Sequence, residues 1–492
     1  MDSYNYSAPV TIPFPTGKRE LYMGLAVLPL SIIMADLVTR FGLNFGFVLT
    51  ACGYILLSFL YLMRSGCKPQ PYAITLLALS AVICLSFLRS DDPLIKLVML
   101  LFMLLSGNLA MALTAGQNLR DPEGFTSLLD APRVLFTLGI GKLGPAFSGL
   151  NAARKNAGAA GKKSISILGG LMLAVPLLAV MMVLLMRADA AFEGLVYLLP
   201  AVDLTDFITA LLLGVPLACV LYTRNVALWH NPRQPKSQWQ PKKYNVLTVG
   251  TVLIMVCLLY LVYLFSQLAY FSGGFSGILP KEFTMAEYAR RGFFELAWLS
   301  GINLGIIALA TGLSEKKDGR ISMVLRLCCL FIGLMTLFFA VAASAKMLLY
   351  IESYGLTTLR LLTEIIMIFL ALTVVFVLIW LFLPKFAYMK AILLTALIIG
   401  AAVAWADVDT VVAAYNVNAY QTGQHETVDV VYLCQLGSGA VPQLHKLAQD
   451  ADPRISDIAT QELQRRASRM DTDPMAFNIA DAIAGEILAQ YK

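Results

Sequence analysis

LLTEIIMIFLALTVVFVLIWLFL, residues 361–383, contains a single charged side chain, Glu364. About 20 apolar residues in one helix cross roughly 30 Å of hydrocarbon, and a helix satisfies its own backbone polar groups there. The segment therefore reads as a membrane-spanning helix. Similar stretches lie at 21–39, 43–63, 72–88, 94–113, 164–186, 204–222, 245–271, 290–313, 321–345 and 388–406, which makes eleven spans. The fold class is all-α, a polytopic transmembrane helix bundle. Composition agrees: the chain is 58% hydrophobic and 14% charged, against about 25% charged in soluble domains. The first span follows Lys18 and Arg19 with no small-residue cleavage site behind it, and reads as a retained anchor.

The cations between the spans alternate. One set of segments holds 21 of them, among them Lys18, Arg19, Arg64, Lys68, Arg133, Lys142, Lys162, Lys163, Arg224, Lys242, Lys243, Lys316, Lys317, Lys385 and Lys390. The opposite loops hold only Arg40, Arg89, Arg187, Lys281, Lys346 and Arg360, with Arg290 and Arg291 at a helix mouth. Because Lys and Arg are retained on the cytoplasmic side, the expected N-terminus is inside and the C-terminus outside. The domain plan is then a cytoplasmic segment at 1–20, a membrane domain at 21–406 with a long cytoplasmic loop at 114–163, and an extracytoplasmic tail at 407–492. Eleven spans, an odd number, agree with ends on opposite sides.

The tail holds 6 Lys and Arg against 12 Asp and Glu, a net of −6, so the rest of the chain carries +12. Ala440, Leu444, Leu447 and Ala448, then Ile455, Ile458, Ala459 and Leu463, recur at helical spacing. Asp452-Pro453 reads as an N-cap followed by proline at the first helical position. The pair resembles one HEAT-type unit, which cannot bury its own face. Docking on the membrane part or on a protein partner is expected.

In the long loop, VLFTLGIGKLGPAFSGL (134–150) is apolar but is interrupted by Lys142, glycines and Pro145. It reads as an interfacial or re-entrant segment rather than a twelfth span. Gly161-Lys162 is not a phosphate loop, since Asn156 stands where the first glycine belongs and Lys163 where the hydroxyl belongs. The loop's lysines suit the anionic headgroups of the inner leaflet.

The candidate site lies at the expected outer ends of two helices. In EYARRGFFEL, Glu287, Arg290, Arg291 and Glu295 sit at three- and four-residue spacing, and in the next cluster Arg360 precedes Glu364 by four. Such charges face a cavity, the bundle interior or one another. Paired arginines there could hold an anionic headgroup or solute. Asp36 is positioned to pair with Arg40. Asn108, Gln117, Gln267 and Asn303 suit interhelical hydrogen bonds. His230, His425 and His445 read as solvated, and the eight cysteines as packing groups. No catalytic triad, paired carboxylate, metal spacing or cofactor motif is visible.

FSQLAYFSGGFSGILPKEFTMAEYARRGFFEL, then ESYGLTTLR, then AAYNVNAY and VDVVYLCQLGSGAVPQL resemble the hallmark segments of a family of polytopic membrane proteins. That family is a domain of unknown function of the 4153/4173 type. The resemblance covers about residues 250–445, and the first half is similar in hydropathy alone. It implies a bacterial cytoplasmic-membrane protein and supplies no activity and no site residues. Transport of a solute or lipid is the leading expectation, ahead of an envelope sensor or assembly scaffold. A membrane enzyme on a lipid-linked substrate comes after these; it would need outward-facing catalytic acids, for which Glu287, Glu295 and Glu364 are the only good candidates. Nucleic acid is not expected as a partner.

Overall fold

The computed structural model describes residues 18–89, 91–117, 128–142, 204–230, 243–271, 293–315, 321–469 and 473–491, with scattered positions between 170 and 189. Every regular element among them is helical, apart from an isolated parallel bridge between Tyr244 and Ser314. Nine described helices are long and apolar enough to cross a membrane. They are α1 (Lys18–Phe41), α2 (Phe45–Arg64), α4 (Pro93–Ala115), α6 (Leu204–His230), α7 (Val246–Phe271), α8 (Phe293–Leu313), α9 (Met323–Tyr354), α10 (Thr358–Phe382) and α11 (Tyr388–Ala406). The expected third span is the shorter apolar helix α3 (Pro71–Ser86), 16 residues long. Fourteen of the 23 residues of the expected span at 164–186 lie outside the described residues, and the nine described ones are helical. This is an all-α polytopic membrane protein.

The chain divides into two units. The first comprises Met1–Asp121, Phe125–Lys236 and Arg469–Ala482. Here α1 runs against α6, and Gly214 makes the approach possible. A Cβ at Gly214 would stand 2.6 Å from Ile32 Cα and 3.0 Å from the Ser31 carbonyl. The core is built from Met23, Val27, Tyr54, Leu62, Met111 and Leu228. As expected, Arg40 pairs with Asp36 at 2.8 Å, and it also reaches Asp206 at 3.4 Å. The short helix α5 (Asp130–Arg133) runs into a π-turn, Val134–Gly139, and a 3₁₀ turn, Ile140–Lys142. Val134 and Leu138 are buried in this core. At 1.5 Å per helical residue the piece is too short to cross a bilayer; residues 143–150 are outside the described set. Ile479, late in the chain, donates its N–H to the Leu88 carbonyl at 2.7 Å.

The second unit comprises Pro122–Gly124, Ser237–Ser468 and Ile483–Lys492. Asn303 of α8 ties three helices together. It accepts from Tyr260 Oη of α7 at 2.6 Å and donates to Thr336 Oγ1 of α9 at 2.9 Å. The tail forms α12 (Val408–Gln421), α13 (Val430–Leu433), α14 (Val441–Leu447) and α15 (Pro453–Ala467). Asp452 caps α15 through the Arg454 N–H at 2.9 Å, as its position before proline implies. Leu444, Leu447, Ala459 and Leu463 are buried, whereas Ile458 is turned outward and 40% exposed.

The tail packs on the membrane helices of its own unit through polar side chains on backbone. Asn416 of α12 accepts from the Leu356 N–H at 2.8 Å and donates to the Leu356 carbonyl at 2.7 Å. Tyr432 Oη accepts from the Thr358 N–H at 2.9 Å. Both bonds fall on the turn joining α9 to α10, so parts of the ESYGLTTLR, AAYNVNAY and VDVVYL stretches meet at one junction. The last helix, α16, spans Ile479–Leu488.

Candidate functional site

A cluster of buried polar side chains lies among the membrane helices of the first unit. The apolar run of α6 does not stop at residue 222, where hydropathy alone ends the span. The described helix continues to His230. This corrects the placement of Arg224 in a cytoplasmic loop. The side chain is in the helix and only 6% exposed, and Asn225 beside it is fully buried.

Asn225 faces α2. Its Nδ2 lies 3.0 Å from Tyr54 Oη, 3.1 Å from Ser58 Oγ and 3.1 Å from the Leu221 carbonyl. Tyr54 Oη in turn donates to the Leu221 carbonyl at 3.3 Å. Tyr54 and Ser58 are one helical turn apart, so α2 presents both on one face. The Asn225 Oδ1 and Thr223 Oγ1 atoms are buried with no hydrogen-bond partner.

Arg224 places its guanidinium 5.4 Å from the centre of the Tyr54 ring. Its Nε is buried without a hydrogen-bond partner, and no described carboxylate pairs with it. A cation over an aromatic face gains about 0.5–2 kcal/mol. Arg224 lies six residues before His230 at the end of the described helix, and the Tyr54 ring is its one electrostatic partner among the described residues.

Six residues further along α6, His230 Nε2 meets Glu20 Oε1 of α1 at 2.9 Å. Tyr61 Oη of α2 approaches the same oxygen at 3.5 Å. The His230 and Glu20 side chains are 16% and 8% exposed, which corrects the reading of His230 as solvated. His445 is also engaged, with Nδ1 2.7 Å from Tyr491 Oη. Pairing across 210 residues of sequence has no local signature. The available hints were Tyr54, Ser58 and Tyr61 on one face of α2, and an arginine and an asparagine inside an apolar run.

The charged site expected at the mouths of α8 and α10 is not brought together by an Arg360 ion pair. Glu287, Arg290 and Arg291 lie outside the described residues, and Glu295 stands exposed in the first turn of α8. Arg360 pairs with neither Glu295 nor Glu364. Its Nη1 donates to the Tyr354 carbonyl at 3.0 Å and to the Gly355 carbonyl, and its guanidinium lies 4.2 Å from the Tyr350 ring centre. The carbonyls that end α9 capture it before its own carboxylate neighbour can. Glu364 has Ser344 for a hydrogen-bonding neighbour and one oxygen buried without a partner. Two cations within spans are absent from the loop pattern. Lys96 donates to Asn44 Oδ1 at 2.7 Å and reaches Asp91 at 3.3 Å, and Arg326 has a buried, unpartnered Nε. Among the described residues no group of three His, Cys, Asp or Glu could hold a metal ion.

No curated protein and no solved structure matches the chain. A family described as a domain of unknown function, DUF4153, matches residues 76–447. That stretch runs from α3 to the end of α14 and takes in Arg224, Asn225, the α9–α10 turn and Asn416. Covering well over half of the chain, it shows that this membrane protein belongs to the DUF4153 family.

Proposed function

We propose that this protein moves a solute or a lipid across the bacterial cytoplasmic membrane, with the N-terminus inside and the tail outside. The observation that carries this reading is the polar seam of the first unit, in which Glu20, Tyr61, His230, Arg224, Asn225, Tyr54 and Ser58 line facing sides of α1, α2 and α6. Buried ionisable groups at membrane depth are costly and mark pathways for polar cargo. The full-length protein in liposomes should produce flux above protein-free vesicles in one of two assays. These are anion current on a solid-supported membrane, and dithionite quenching of a fluorescent phosphatidylglycerol that has crossed the bilayer. Asn225→Leu should lower that flux at least tenfold. Absence of flux in both assays would end the transport reading.

A second reading, an envelope sensor or assembly scaffold, is favoured by one observation: the tail holds the α9–α10 turn through Asn416 and Tyr432. A protein partner bound to the tail could bias the membrane helices through that grip. The basic loop of 114–163 would rest on anionic inner-leaflet headgroups in either case.

A further inference from the structure

We infer that Arg224 is the recognition element of a binding site for an oxyanion, a phosphate-type group held inside the first unit between α2 and α6. Arg224 is only 6% exposed as a residue, and its guanidinium lies over the Tyr54 ring. It has an unpartnered Nε and no described carboxylate to balance its charge. An arginine offers five donors in a planar fork, and phosphate oxygens match that fork. Tyr54 touches both Arg224 and Asn225, and Ser58 is bonded to Asn225, so polar groups from two helices converge beside the cation. Glu20 does not serve as the counter-charge; it meets His230 at 2.9 Å. Lys96, the other well-buried cation among the described residues, is satisfied by Asn44 and Asp91. Arg224 is therefore the cation in this unit left for an incoming anion.

The site rests on the transport reading only for the anion's being cargo; binding itself is tested without flux. The same chemistry could arrive as a free phosphate or as the headgroup of an anionic lipid. The experiment uses the full chain in nanodiscs of neutral phosphatidylcholine in gluconate buffer at constant ionic strength. The thermal unfolding midpoint is followed as inorganic phosphate is added, and again in nanodiscs containing phosphatidylglycerol. The expected result is a rise in midpoint with one of these, and which one raises it names the source. Arg224→Gln should lose the response, with at least tenfold weaker binding of radiolabelled phosphate if the free ion is the source. Without any anion it should melt no lower than the wild type, because the uncompensated charge is gone. Asn225→Asp, which places a carboxylate beside the guanidinium, should also abolish the response, whereas Arg40→Gln should keep it. A wild-type midpoint that moves with neither phosphate nor phosphatidylglycerol overturns the site, as does a full response in Arg224→Gln. Arg224-dependent binding without flux would keep the site and end the transport reading; flux without such binding would do the reverse.

Discussion

Arg360 shows how an ion pair suggested by spacing can lose to a nearer partner. Its guanidinium sits on the carbonyls of Tyr354 and Gly355 and over Tyr350, so it has little left to share with Glu364. Arg360→Ala and Glu364→Ala should therefore add in their effects on stability, with a coupling under about 0.5 kcal/mol in a double-mutant cycle. A coupling of several times that would restore the pair. Gly355 is constrained twice over. Its φ of +76° favours glycine, and a Cβ would stand 2.5 Å from Asn416 Oδ1. Gly355→Ala should both strain the turn and push Asn416 off Leu356, lowering the unfolding midpoint. An unchanged midpoint would show the turn relaxing freely. In the tail, burial pushes the Glu462 carboxyl up, but hydrogen bonds from Arg465 and Arg466 outweigh it and leave the group below its ordinary value. A carboxylate lowered in the folded state stabilises fully above its unfolded value, about 4.5, and loses that contribution as pH falls toward its folded value. The tail should therefore weaken below about pH 4.5, and Glu462→Gln should flatten that dependence.

At the scale of elements, specific side-chain bonds on backbone fasten the tail, beside the buried apolar residues Val412, Ala413 and Val417 of α12. Arg466 donates to the carbonyls of Cys434, Leu436 and Gly437 at 2.8–3.0 Å, fastening α15 across the turn after α13. Asn416 satisfies both the N–H and the carbonyl of Leu356. Removing it leaves two backbone groups without partners, at about 1–3 kcal/mol each where water does not replace it. Asn416→Ala should accordingly speed hydrogen exchange across residues 408–421 and 355–358 while α4 and α6 keep their protection. Uniform protection would mean that the grip is dispensable. Residues 407–492 expressed alone lose residues 356 and 358, where Asn416 and Tyr432 are anchored. They should melt without cooperativity, and a sharp transition with a well-dispersed NMR spectrum would defeat that expectation.

For the whole molecule, threading is the property on which every functional reading depends. The proposed threading, drawn from the alternating cations, has Lys163 and Lys243 inside and Lys492 outside. Reporter fusions at those three positions should read inside, inside and outside. An inside reading at Lys492 would make the span count even and would bring residues 134–150 forward as a further crossing. The described part of that segment argues otherwise. Its described residues Val134 and Leu138 sit in the core of the first unit.

The sequence by itself determined the solvent of this protein and most of its helices. Long uncharged runs have one stable solution in hydrocarbon, and that solution is local to each run. The cap at Asp452 and the pair of Asp36 with Arg40 were legible for the same reason, since each is settled within one helical turn. Glu20 with His230, Asn225 with Tyr54, and Asn416 with Leu356 join positions 210, 171 and 60 residues apart. Only the tertiary structure could decide them, because helix packing selects which polar groups lose water together. Arg224 is the sharpest case. In the sequence it is one more cation near the end of a span, and its meaning changes only when α6 continues past it and α2 closes over it.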